Sequence, residues 1–102
     1  MNELVEQVKN IDNSSILSSI DDISLDNNIC LEYVDNWGNK YYFNNKTTSC
    51  LLGKNKNIDK ELVKIKQSQE EIYFEKILNP LNNSTSLLYG IKKNNGYVFL
   101  FT

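Results

Sequence analysis

Histidine, arginine and alanine are absent from this sequence, and proline occurs once. Without histidine, the commonest general base and the commonest metal ligand are missing. Without arginine there is no planar fork to grip a phosphate or carboxylate through paired hydrogen bonds. The four glycines are scattered along the chain and expected in separate turns, so no glycine-rich phosphate loop can be assembled. No apolar run approaches the roughly 18 residues that a membrane span needs. Eleven basic residues stand against 13 acidic ones, a net charge of −2. Nucleic-acid binding, which rests on a basic surface, is therefore disfavoured.

The acidic and sulfur-bearing residues do not replace what is missing. Adjacent carboxylates, as in Asp21-Asp22 and Glu70-Glu71, diverge by about 100° on a helix and cannot converge on one substrate atom. The set Asp21, Asp22 and Asp26 lacks the alternating ligand spacing and the glycine of a calcium loop. Cys30 and Cys50 have no histidine to activate them as nucleophiles. They are expected as two half-buried thiols. On the first and third strands of a meander, two strand spacings of about 4.8 Å would set them about 10 Å apart, beyond the reach of about 7 Å that a disulfide allows. The expectation is a protein that is not an enzyme and has no cofactor and no metal.

What is present reads as globular. The chain has 102 residues, of which 40% are hydrophobic and 24% charged, enough for one compact domain with a core of its own. Its acidic start, Met-Asn-Glu-Leu-Val-Glu, lacks the basic and apolar stretches of a signal peptide, and the compartment expected is the cytoplasm.

Leu4, Val5, Val8 and Ile11 recur at helical spacing, predicting a helix over 2–12. Ser14 or Ser15 is placed to cap a second helical turn carrying Ile16, Leu17, Ile20 and Ile23. Asp26-Asn27-Asn28 closes it. Residues 29–35 and 39–45 then flank Asn36-Trp37-Gly38, a three-residue hairpin loop whose last position suits glycine. This pairing sets Tyr33 opposite Tyr41 and Leu31 opposite Phe43. One face carries Ile29, Leu31, Tyr33, Tyr41 and Phe43, an apolar stripe. The other carries Cys30, Glu32, Val34, Lys40, Tyr42 and Asn44, a mixed set. Residues 48–52 are a candidate third strand. A helix is expected over 58–69, capped by Asn57 or Asp59, with Ile58, Leu62 and Ile65 on one stripe. Residues 70–78 fit either a continuing helix or a strand, and the helix is favoured. Pro80 ends the element. Residues 86–92 and 97–102 predict a hairpin around Asn94-Asn95-Gly96. The fold class is α+β: one domain, an antiparallel sheet of about five strands, and one or two helices on the apolar face.

The candidate partner-binding residues are Trp37, Tyr42 and Val34, at the tip and on the mixed face of the first hairpin. Trp and Tyr are the side chains that most often anchor interfaces. A second candidate is self-association through the apolar last strand, residues 97–102, because an unpaired edge recruits strands.

Two resemblances rest on Gly38-Asn39-Lys40-Tyr41-Tyr42-Phe43-Asn44-Asn45-Lys46-Thr47. The stretch resembles the centre of a WW domain, with Gly, two aromatics, Asn and Thr at that spacing. The resemblance implies binding of proline-rich segments between a strand tyrosine and a second tryptophan. Leu52 stands at that tryptophan's position, the first tryptophan falls at Cys30 or Leu31, and the closing proline is missing, so the clamp is not carried over. The stretch is also similar to one choline- or glucan-binding repeat of Gram-positive surface proteins and clostridial toxins, which read Gly-x-x-Tyr-Tyr-Phe-Asn and then Gly-Trp. Gly53 matches that glycine, but Lys54 replaces the tryptophan, and the repeat occurs here once. An aromatic hairpin produces the same pattern without common ancestry.

The function expected is a small non-catalytic interaction domain of adaptor, chaperone-like, immunity or inhibitor type, with a protein partner and neither nucleic acid nor membrane. The alternative is an extracellular carbohydrate- or cell-wall-binding module stacking sugars on Tyr41, Tyr42 and Trp37. An enzyme ranks last.

Overall fold

A computed structural model describes residues 3–44, 58–78 and 85–101. The chain begins with α1 (Glu3–Lys9), a 3-10 turn (Asn13–Ser15) and α2 (Ile16–Asp26). Asp12, rather than Ser14 or Ser15, supplies the capping bond: its Oδ1 accepts from the Ser14 N–H at 3.0 Å. Ser15 occupies the N-cap position of α2 but makes no capping side-chain bond. The chain leaves α2 through Asn28, at φ 50°. Asn28 N–H donates to Leu25 O and Ile29 N–H to Ser24 O. This paired closure satisfies the last carbonyls of the helix and turns the chain toward the sheet.

Five strands follow: β1 (Leu31–Asp35), β2 (Lys40–Phe43), β3 (Ile72–Leu78), β4 (Thr85–Lys93) and β5 (Gly96–Phe101), with α3 (Ile58–Gln67) between β2 and β3. They form one antiparallel sheet in the order β2-β1-β5-β4-β3. The α+β class and the antiparallel sheet are as expected. So is the first hairpin's register, with Tyr33 opposite Tyr41 and Leu31 opposite Phe43. The strand expected at 48–52 lies outside the described residues, as do Asn57, the side chain of Asp59 and Pro80.

Three expectations about the sheet need correction. Residues 72–78 are strand, not helix. Ile72, Tyr73, Phe74 and Ile77 suit either state, and pairing with β4 along all seven positions decides for the strand. The last strand is not an edge: β5 lies in the middle of the sheet, paired with β1 on one side and β4 on the other. Among the described residues, Tyr97 to Leu100 are paired on both sides, so this stretch of the last strand offers no open edge for self-association.

Finally, both faces of the sheet are covered, not one. Val5, Val8, Ile11 and Ile20 of the N-terminal region pack on Leu31, Tyr33, Ile91, Val98 and Leu100. On the other face, Ile65 of α3 packs with Val34, Leu88 and Phe99. The mixed face of the first hairpin becomes apolar once β5 lies beside it, setting Phe99 next to Glu32 and Tyr97 next to Val34. Gly90 allows α3 to sit close: a Cβ there would lie 2.7 Å from Ile65 Cδ1.

Cys30 is buried and disulfide-bonded, and among the described residues no cysteine is free. This overturns the expectation of two thiols. That expectation rested on residues 48–52 forming a strand beyond β2, and Cys50 lies outside the described residues.

Candidate functional site at the first hairpin tip

Asp35 organises the loop that follows it. Its Oδ1 accepts from the Trp37 N–H at 2.9 Å and from the Asn39 N–H at 2.9 Å. Its Oδ2 accepts from Asn39 Nδ2 at 3.0 Å. Along the main chain, Gly38 N–H donates to Asp35 O and Asp35 N–H to Asn39 O. Gly38 takes φ +87°, the left-handed value at which a side chain would be strained. Desolvation raises the Asp35 carboxyl pKa. The donors on Asn39, the Trp37 N–H and the nearby Tyr41 hydroxyl outweigh it and hold the group below the ordinary carboxylate value.

The second hairpin braces the first. Asn36 N–H donates to Asn95 O at 3.1 Å, and Asn36 Nδ2 donates to Asn94 O at 3.3 Å. Tyr33 Oη donates to Asn95 O at 2.9 Å. Burial, then the Asp35 carboxylate and Tyr41, push the Tyr33 hydroxyl pKa up, so it stays a protonated donor. The two turns are thus tied into one end of the molecule.

On this support Trp37 stands 84% exposed. It lines a shallow concavity of about 300 Å³ with Ile16, Leu17, Tyr33, Asp35, Tyr41 and Asn95. The Tyr33 and Tyr41 rings lie 6.0 Å apart, centroid to centroid. The walls are aromatic and aliphatic, and Asp35 and Asn95 add polar atoms: a small, preformed, mostly apolar recess.

The three candidate residues do not form one patch. Trp37 is exposed as its place in the loop suggests. Tyr42 is partly exposed but belongs to the opposite sheet face from Tyr41. Val34 is only 1% exposed, packed with Ile65, Leu88 and Phe99, and takes no part in an exposed surface. Hairpin alternation alone puts Val34 and Tyr42 on the same side, but α3 covers only the part of that side over the central strands. The companions of Trp37 that the sequence reading missed are Leu17 and Ile16, from a helix, and Asn95, from the other turn. No local pattern links these segments. Tyr41 was legible as a neighbour of Tyr33, but as core rather than rim.

Comparison with known proteins finds no matching family model, curated protein or solved structure.

Proposed function

We propose that this domain is a non-catalytic interaction module that binds a protein partner through Trp37 and the recess beside it. One observation carries the reading: a tryptophan held almost wholly in solvent by a loop whose own hydrogen bonds fix it. An exposed indole on a main chain already held by hydrogen bonds loses little backbone conformational entropy on binding and offers a large contact area beside the apolar recess. Tyr41 and Leu17 extend the contact, and the Asp35 and Asn95 oxygens give it direction. The test is affinity capture with wild type, Trp37→Ala and a surface control, Leu25→Ala. Under this reading, partners retained by wild type and the control are lost from Trp37→Ala. Equal retention by all three overturns it.

A carbohydrate ligand is the second reading. It is favoured by the Trp37 and Tyr41 rings lying beside Asp35 and Asn95 in one recess. Tyr42, on the other face, does not share that recess. The disulfide at Cys30 fits an oxidising compartment better than the cytoplasm first expected. A glycan-array signal lost on Trp37→Ala would favour this reading over the protein partner.

A further inference from the structure

Strand β3 forms the edge of the sheet opposite β2, away from the first hairpin. Lys92 N–H donates to Glu71 O at 2.9 Å, and this bond sets the phase of the β3–β4 ladder. In antiparallel pairing the bonded residues alternate. Residues 71, 73 and 75 therefore turn their backbone groups toward β4, and Ile72, Phe74 and Lys76 turn theirs outward. Among the described residues nothing pairs with that outer edge. The strand runs seven residues in continuous register. It contains no proline, and of the devices that usually blunt an edge it has one outward lysine. By contrast, the other edge strand, β2, has four residues.

The side chains of Phe74 and Lys76 are also exposed, while Ile72 is partly buried against the N-terminal core. Ile72, Phe74 and Lys76 share a face with Tyr89, whose ring lies 6.1 Å from that of Phe74. A concavity of about 480 Å³ lined by Lys9, Glu70, Glu71, Ile72, Phe74 and Tyr89 lies alongside, and Phe74 is 63% exposed.

We propose that a second copy of this chain pairs with this edge, β3 against β3 in antiparallel register with Phe74 opposite Phe74, joining the two sheets. The occupant follows from self-complementarity. With Phe74 facing itself, Ile72 faces Lys76 of the other copy and Tyr73 faces Glu75, so no like charges meet. Shifting the register by one residue at each copy, to centre on Glu75, would set Glu75 against Glu75, which costs stability. Only in the Phe74-centred register do two phenylalanines that stand in water cover each other. The net charge of −2 offers little opposition to self-association. Because β3 is the edge farthest from β2, such a dimer leaves both Trp37 tips open and would bind a repeated partner bivalently.

Sedimentation equilibrium from micromolar to millimolar protein, together with cysteine cross-linking, tests this. Wild type should dimerise. Lys76→Pro should be monomeric with an unchanged far-UV spectrum, because residue 76 gives its N–H to the outer edge and not to the β4 ladder. Phe74→Lys, which places two ammonium groups face to face, should also be monomeric. Phe74→Cys should form an interchain disulfide on mild oxidation, since directly bonded partners lie about 5.5 Å apart. Lys76→Cys, opposite Ile72, should not. A monomeric wild type overturns the proposal, as does dimerisation of folded Lys76→Pro and Phe74→Lys to the wild-type extent. So does cross-linking at 76 but not at 74, which remains decisive if the first two variants fail to fold.

Discussion

Asp35 accepts the backbone N–H of Trp37 at 2.9 Å while the Trp37 ring stays in solvent. The main chain of this residue is fixed and its side chain is offered. That combination distinguishes a presented residue from one left exposed on a loose loop, and it has measurable consequences.

Trp37 is the only tryptophan, so intrinsic fluorescence reports on it alone. The free protein should emit at the wavelength of a water-exposed indole and be quenched readily by acrylamide. Its anisotropy should nevertheless be that of the whole domain, because the loop is hydrogen-bonded. A blue-shifted, quencher-resistant emission would contradict the exposed position.

Acid should loosen the tip. The Asp35 pKa is depressed in the folded state, so its contribution is complete above the unfolded-state value of about 3.9. That contribution is lost as pH falls through the lower folded value. Trp37 anisotropy should hold from neutral pH down to about pH 4 and fall below it. Asp35→Ala should show the low anisotropy at all pH values. An acid transition centred well above pH 4 would contradict the depressed value.

Val34 and Trp37 should separate cleanly on mutation. Val34→Ala opens a hole between α3 and the sheet and should cost about 2–3 kcal/mol in denaturant unfolding. Trp37→Ala touches no core and should change stability by no more than about 0.5 kcal/mol. Comparable losses would mean that the indole packs on the domain.

Gly96→Ala should be among the most damaging single-methyl changes. Its φ is not in the left-handed region. The constraint is space: a Cβ there would run into the Val34 carbonyl oxygen and lie 2.9 Å from both Asp35 Cα and Tyr33 Oη. Backbone rather than a movable side-chain end must give way, so a loss of about 1–3 kcal/mol is expected, read from a urea midpoint. A neutral effect would show that β1 and β5 are looser than their pairing implies.

Reduction should weaken the fold. With Cys30 disulfide-bonded, dithiothreitol should lower unfolding stability by about 2–4 kcal/mol. Thiol alkylation of protein purified without reductant should label neither cysteine. Full labelling would return the chain to the thiol state expected from sequence.

Much of the architecture was legible because it is local. Gly38 and the Asn94-Asn95 turn bring neighbouring segments together within a few residues, and alternation then sets each hairpin's register. Helical spacing likewise marked α1, α2 and α3. The tertiary structure alone settled which hairpin lies beside which. Backbone donors and acceptors are the same in every strand, so nothing in residues 29–45 announces that β5 will pair with β1. That one long-range choice buried Val34 under α3 and took the edge away from β5. Brought together through the turns, it set Asn95 under the Trp37 loop. It also left β3, a segment whose residues suit helix or strand, as the open end of the sheet. Local chemistry had already determined that Trp37 would stand at a turn. Its companions Ile16, Leu17, Tyr41 and Asn95 were decided by packing between segments far apart in the chain, where burial depends on neighbours that no local pattern names.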